Sequence, residues 1–331
     1  KKSVAPTSYK ASSMKHVGDQ YTHQTPFPYA TYRNSNRNYA DSETSEVSFG
    51  GLSKSECNVK FGQRRYLPME QQKTPPVLYT FPGSGNTWCR LLIEYATGIY
   101  AGSIYNDRKL LSALPGEVLC SPRQSVIKAH PFTISAQALR TGTFTSGGHG
   151  EYKDKCKKEG IDQFHRAILL IRDPFDSIWS DYELKMSKSH VGGVIKQDFN
   201  QTYWEAVAIL YAEQYENMWA VQYPDIEKHF AENDFLYIKY EALIDTNLRV
   251  DPLRNLTQFL NITEPDDAQL ECAFALADNR NTHRVVDKSK TMTKEEAYTH
   301  SLASRMWALF GVHAERHGYH MFHTENCSEL A

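Results

Sequence analysis

The sequence predicts an α/β protein, a three-layer sandwich with a parallel sheet at its centre. Two observations carry that expectation. Short apolar runs at 77–81, 125–128, 167–171 and 235–239 have the length and residue types of buried strands. Each is followed by a turn signal and then, directly or after a loop, by a stretch of helical period. Strand and helix in alternation imply a parallel sheet covered on both faces.

Taken in order, residues 1–73 are polar, rich in Ser, Asn, Tyr and Thr, and without a sustained period. That composition reads as a stem or extended arm, although Tyr29, Tyr32 and Tyr39 could pack part of it on the domain. The folded domain is expected over 74–322, with a short tail at 323–331. Residues 87–100 set Leu91, Leu92, Tyr95 and Ala96 at helical spacing and reach Gly98 near their end. Asp173 is a good N-cap and Pro174 suits the first helical position. Residues 202–223 read as one long helix whose Tyr211, Tyr215 and Trp219 form a stripe, expected to be core. The last helix is expected over 294–316, with Gly318 placed to stop it. The connections 101–124 and 142–162 are longer than most, as binding loops often are. With 184–199 they are expected to shape an acceptor pocket.

Composition narrows the function. The 331 residues are 40% hydrophobic, enough for one large domain and an appendage. With 37 basic and 39 acidic residues the net charge is −2, which gives no broad basic field for nucleic acid. Any anionic ligand must be met locally. No run of eighteen apolar residues occurs, so no membrane span is expected. The chain starts at Lys1, and a removed signal or anchor segment is expected before it. Cys57, Cys89, Cys120, Cys156, Cys272 and Cys327 form no CxxC pair, so no zinc site is expected, whereas lumenal disulfides are allowed. Sequons at Asn200, Asn255, Asn261 and Asn326 lean the same way.

The densest chemical signal is Phe81-Pro82-Gly83-Ser84-Gly85-Asn86-Thr87-Trp88. A buried strand runs into a turn with two glycines and then into a helix. Glycine lets backbone approach an anion closely, and the free N–H groups at a helix start can hold a phosphate. Ser84, Asn86 and Thr87 add side-chain donors. A Walker motif needs Gly-Lys-Ser/Thr, whereas Asn86 follows Gly85, so ordinary ATP hydrolysis fits poorly. A tight strand–helix turn with no ligand would use the same glycines.

The second signal runs from Arg172 to Ser180, directly after the strand 167–171. Open α/β sheets bind ligands at the carboxyl ends of their strands, where Arg172 sits. Ser180 lies about two helical turns past Asp173, on the same face. A forked permanent charge with a hydroxyl suits a phosphate. A surface arginine paired with Asp173 or Asp176 is the plainer alternative. The third signal is Val126-Ile127-Lys128-Ala129-His130-Pro131. One residue apart, Lys128 and His130 point to the same side of an extended chain. Histidine can take a hydroxyl proton at physiological pH, but a histidine that only caps the strand would look the same.

In this order and spacing, the three segments resemble the sulfotransferases that depend on 3′-phosphoadenosine-5′-phosphosulfate (PAPS). The first looks like their 5′-phosphosulfate loop, the second like their 3′-phosphate motif, the third like their strand with the catalytic histidine. Phe235-Leu236-Tyr237-Ile238-Lys239-Tyr240-Glu241 is similar to a later family strand ending in Tyr-Glu. The resemblance covers residues 77–319 and is nearest to the WSC-domain-containing sulfotransferases, which act on sialic acid. Ala96-Thr97-Gly98 and Leu170-Ile171-Arg172 belong to that similarity. This chain carries no cysteine-rich WSC module.

The resemblance implies a P-loop nucleotide-kinase-like sulfotransferase fold. It also implies in-line transfer of a sulfuryl group from PAPS to an acceptor hydroxyl, leaving adenosine 3′,5′-bisphosphate. Residue by residue, Gly83, Ser84, Gly85, Asn86 and Thr87 would cradle the 5′-phosphosulfate. Trp88 would lie beside the adenine and Tyr240 would border it. Arg172 and Ser180 would hold the 3′-phosphate, His130 would be the base, and Lys128 would sit by the transferring group. Two departures stand out. Many relatives carry lysine where this chain has Gly83, and the family's late Arg-Lys-Gly phosphate segment is absent. Arg284, Lys288 and Lys290 lie in the corresponding region as substitutes.

The expected partners are PAPS and a hydroxyl-bearing acceptor, a glycan with sialic acid as the specific case. No metal and no nucleic acid are called for, and a membrane only through a removed N-terminal anchor. The expected location is the Golgi lumen, as a type II glycoprotein with disulfides, with the cytoplasm as alternative. Two other functions stay open. A catalytically inactive nucleotide- or glycan-binding module is favoured by Gly83 in place of lysine. An ATP-dependent phosphotransferase would have no use for Arg172 with Ser180.

Overall fold

The computed structural model describes residues 51–131, 134–141, 155–188, 192–278 and 289–322. All of them lie in the unit Tyr39–Ala331. The sheet has β1 (Val77–Thr80), β2 (Gly102–Ser103), β3 (Ile127–Ala129), β4 (Ala167–Ile171) and β5 (Phe235–Lys239). Every pairing is parallel, and the spatial order is β2-β3-β1-β4-β5. The four runs read as strands all form strands. Gly102 and Ser103 add a short edge strand that no apolar run announces.

Helices surround it: α1 (Lys54–Phe61), α2 (Asn86–Thr97), α3 (Ala136–Thr141), α4 (Pro174–Ser187), α5 (Gln201–Asn217), α6 (Tyr223–His229), α7 (Tyr240–Ile244), α8 (Val250–Leu260), α9 (Asp267–Ala277), α10 (Lys294–Ala297) and α11 (His300–Arg316). Side chains alternate across each strand. Val77, Tyr79, Ala167 and Leu169 pack with Phe175 and Ile178 of α4, Trp204 and Tyr215 of α5, and Phe310 of α11. Leu78, Ile168 and Leu170 pack on the opposite face with Leu92 of α2, Leu256 of α8 and Phe274 of α9. This is the three-layer arrangement. Each such aliphatic side chain, fully buried, contributes on the order of 1.5–3 kcal/mol.

Two helices differ from the sequence expectation. The long helix over 202–223 ends as α5 at Asn217, widens into a π-helical turn over Met218–Gln222, and resumes as α6. Pro224 in the first turn of α6 has no N–H to continue the ladder, and the widened turn precedes it. Tyr211, Tyr215 and Trp219 are buried, as a core stripe should be. The expected helix over 294–316 breaks at Tyr298, because Thr299 caps α11 with its hydroxyl, which accepts from Leu302 N at 3.1 Å.

Within the segment read as a stem, residues 51–73 carry ordered structure. Ser53 and Glu56 form a capping box that starts α1. Helix α1 packs against α9, and Cys57 is bridged to Cys272. A second bridge joins Cys120 to Cys156. Cys89 is buried and unbridged, and Cys327 lies outside the described residues. The bridges fit an oxidising compartment. Among the described residues, no helix is long and apolar enough to cross a membrane.

Candidate active site

Strand order creates the site. β3, β1 and β4 are neighbours, and the register pairs Tyr79 with Ala129, Thr80 with Leu170 and Ile171 with Lys239. The carboxyl ends that carry the three sequence signals therefore finish side by side. This is where open parallel sheets place ligands.

After β1 the chain turns through Pro82 to Gly85 and enters α2. Gly83 and Gly85 have φ of +81° and +86°, in the left-handed region that glycine tolerates. Space imposes the same choice. A Cβ on Gly83 would stand 2.2 Å from the Ser177 carbonyl oxygen, and one on Gly85 would stand 2.4 Å from the Tyr240 ring. The absent lysine thus has a steric cause: the α4 backbone occupies the space a side chain at 83 would need. The first N–H groups of α2 have no intrahelical acceptor and carry the positive end of its dipole. Beside them, the carboxamide of Asn86 is buried with neither Nδ2 nor Oδ1 paired. Such a group costs free energy until something pairs with it. Ser84 turns the other way. Its hydroxyl meets Ser177 Oγ at 3.1 Å and Tyr215 at 3.5 Å, and its N–H donates to Phe81 O.

Arg172 leaves β4 beside this loop. Its Nη1 donates to Gly83 O at 2.8 Å, and its guanidinium lies 4.5 Å from the Tyr240 ring centroid. Its Nε is buried without a partner. Asp173 caps α4, accepting from Phe175 N at 2.8 Å and Asp176 N at 3.2 Å. Burial and the nearby Asp176 charge push the Asp173 carboxyl up to about 7. Burial also acts on Asp176, but Arg172 and Lys294 outweigh it and hold that carboxyl below its ordinary range. Lys294 is ion-paired with Asp176. Tyr240 meets Trp88 edge to face at 5.6 Å, and Trp88 Nε1 donates to Asp278 at 2.9 Å.

Lys128 lies in β3 and His130 follows directly after its last residue, Ala129. His130 Nδ1 lies 2.6 Å from Thr80 O. A carbonyl only accepts, so Nδ1 carries the proton and the Nε2 lone pair stays free. Burial, then the Lys128 charge, pushes the imidazole down to about 3. Burial, then Arg90, lowers the Lys128 ammonium to about 8. Arg90 pairs with Glu117, both fully buried.

One cavity of 430 Å³ collects these groups: Gly83, Gly85, Asn86, Thr87, Trp88, Lys128, His130, Arg172, Ser180 and Tyr240 all line it. Of the described residues singled out from sequence, Ser84 and Lys290 do not reach the wall. Arg284 and Lys288 lie outside the described residues. Lys294 is on the wall. No residue of 101–124 lines the cavity either. Asp176, Trp179, Glu183 and Leu184 do. Leu184 opens the stretch 184–199 expected at the pocket, the sequence offers Asp176 only as a pairing partner for Arg172, and it does not single out Trp179 and Glu183. Their spacing with Ser180 is that of one helix face, so extending that face along α4 would have found them. Lys294 had no such signal, since Thr293 and Glu296 announce only a helix start.

No family model matches the chain. Curated relatives do, among them three each named a WSCD family member. That of Aedes aegypti is 30% identical over 203 residues, 60% of this chain and 53% of its own length. That of Drosophila melanogaster is 33% identical over 132 residues, 39% of this chain and 34% of its own. That of Drosophila pseudoobscura pseudoobscura is 26% identical over 238 residues, 70% of this chain and 62% of its own. The chain thus spans between a third and two thirds of the length of these relatives. Among solved structures, a sulfotransferase from Alicyclobacillus acidocaldarius aligns over 74% of this chain and 94% of its own, at 12% identity and a TM-score of 0.33. The chain is similar in sequence to WSCD family members and carries, at the carboxyl edge of a parallel sheet, a cavity lined by the glycine loop, Lys128, Arg172 and Lys294 beside the His130 imidazole.

Proposed function

We propose that this protein transfers a sulfuryl group from PAPS to a hydroxyl of a glycan in the Golgi lumen, with sialic acid as the expected acceptor. The observation that carries the reading is the convergence of the glycine loop, Arg172 with Ser180, and Lys128 with His130 on one cavity. The unpaired Asn86 carboxamide and Arg172 Nε are the partners a polyanionic nucleotide would need there.

In this reading the loop and the first N–H groups of α2 hold the 5′-phosphosulfate. Arg172 and Ser180 hold the 3′-phosphate, and Trp88 and Tyr240 border the adenine. His130 Nε2 takes the acceptor proton as the acceptor oxygen bonds to sulfur and the bond from sulfur to the 5′-phosphate oxygen breaks. The low pKa keeps the imidazole neutral before the donor arrives, and the donor's negative charge raises it toward a working value. Lys128 and the loop N–H groups offset the charge that develops on the leaving oxygen.

Transfer of label from PAPS to a panel of glycans, lipids and phenols tests this. Wild-type protein should label a glycan hydroxyl. His130→Ala should still bind adenosine 3′,5′-bisphosphate while losing about 10²–10⁴-fold in turnover. Nucleotide binding without transfer to any acceptor would favour the binding-module alternative.

A further inference from the structure

Tyr105 stands behind the cavity wall, half-buried, just past β2. Its hydroxyl accepts from His130 N at 3.0 Å. Its ring packs against the imidazole, with centroids 5.3 Å apart and planes at 31°. Lys128 Nζ lies 5.3 Å from the same ring's centroid. One side chain therefore touches both groups at the end of β3 without touching the cavity itself.

Tyr105 is in turn held in place. Its N–H donates to Ser103 Oγ at 2.9 Å. Lys155 Nζ donates to Ser103 O at 2.8 Å and to Tyr105 O at 2.5 Å, and lies 3.4 Å from Glu117 O. An ammonium has three donors, and here it meets three backbone carbonyls. Lys155 precedes Cys156, which is bridged to Cys120. The disulfide fixes the segment, the segment carries the ammonium, and the ammonium fixes the strand end that presents Tyr105.

We propose that Tyr105 is a positioning residue that sets the orientation of His130 and Lys128, held by Lys155 from the bridged segment; this rests on the sulfuryl-transfer reading above. The physical reason is orientation. A proton acceptor displaced by about 1 Å can lose on the order of 10²-fold in rate. Thr80 O fixes one edge of the imidazole and leaves the ring free to rock about that hydrogen bond. The Tyr105 ring closes off that motion and also seats the Lys128 ammonium through a cation–π contact. A tyrosine that served stability alone would make the same contacts, but its loss would act equally whether or not His130 is present.

The test measures turnover, bisphosphate affinity and thermal unfolding for Tyr105→Phe, Tyr105→Leu and Lys155→Met, each alone and with His130→Ala. Turnover should fall about tenfold for Tyr105→Phe and Lys155→Met, and on the order of 10²-fold for Tyr105→Leu. Bisphosphate affinity should stay within about twofold of wild type. In the His130→Ala background the same changes should cost clearly less than in the wild type, because the part that acts through His130 is already lost and only the part that acts through Lys128 remains. Wild-type turnover in Tyr105→Leu, or an equal loss with and without His130, would overturn the proposal. If Tyr105→Leu does not fold, Tyr105→Phe and Lys155→Met carry the comparison. Imidazole nitrogen resonances give an arm that needs no turnover. His130 should show a single Nδ1-protonated tautomer in the wild type and a mixture or broadened signals in Tyr105→Leu. Should the wild type transfer no sulfuryl group to any acceptor, the function reading fails, and an unchanged His130 signal in Tyr105→Leu would then overturn the positioning role too.

Discussion

Protons at the end of β3 set two opposite pH behaviours. His130 is held at about 3 in the folded protein against an ordinary 6.5. Between those values the unfolded chain binds a proton that the folded chain does not, so stability is lost as pH falls through that window. His317 acts in the same direction, lowered to about 4 by burial and Lys239. Lys128, at about 8 against an ordinary 10.5, has the same sign in its own window: stability rises with pH between those values. Turnover should do the reverse there under the proposed mechanism, in which a deprotonated Lys128 would no longer offset the leaving-group charge. The kcat/KM profile should therefore fall above about pH 8, and Lys128→Arg should carry activity to higher pH. Lys155 is also lowered to about 8, by burial. An alkaline fall that Lys128→Arg leaves in place would assign it to Lys155 instead. Lys128→Ala should lower turnover on the order of 10²–10³-fold and leave bisphosphate affinity nearly intact.

The β1–α2 loop shows what an element adds to its residues. Restoring the lysine common among the resembled enzymes, Gly83→Lys, should fail, since the Cβ alone would meet Ser177 O at 2.2 Å in a backbone with φ +81°. Gly83→Ala should already cost about 1–3 kcal/mol in denaturant unfolding, the usual scale of forced backbone strain. A Gly83→Ala protein of wild-type stability would show that the loop can move away from α4. The loop, the Asp173 cap and the strand before Arg172 were legible because each is a local pattern of a few residues. The neighbourhood of β3, β1 and β4 was not, because pairing order is settled by long-range packing that no local period encodes. The setting of the Ser84 hydroxyl was not legible for a related reason. The sequence places it among ligand-facing residues, and only the approach of α4 shows that its hydroxyl is spent on Ser177. The break at Tyr298 was missed because helical period continues across it while Thr299 captures the backbone.

At the scale of the whole molecule, the Cys57–Cys272 bridge ties α1 to α9 across 215 residues of sequence. Replacing both cysteines with serine should cost about 2–5 kcal/mol, as the loss of a native disulfide typically does. Asn255 and Asn261 are exposed, whereas Asn200 uses its carboxamide to cap α5, accepting from Tyr203 N at 2.9 Å. Secretory expression should therefore give a glycosidase-sensitive protein modified first at Asn255 and Asn261. Unmodified asparagines together with reduced cysteines would contradict the proposed lumenal location. The central claim is that the cavity serves a nucleotide with a 3′-phosphate, and its most direct test is calorimetry with adenosine 3′,5′-bisphosphate and AMP. The account predicts far tighter binding of the bisphosphate, with Arg172→Ala losing about 1.5–3 kcal/mol for it and almost nothing for AMP. Equal affinity of the wild-type protein for the two nucleotides would contradict it.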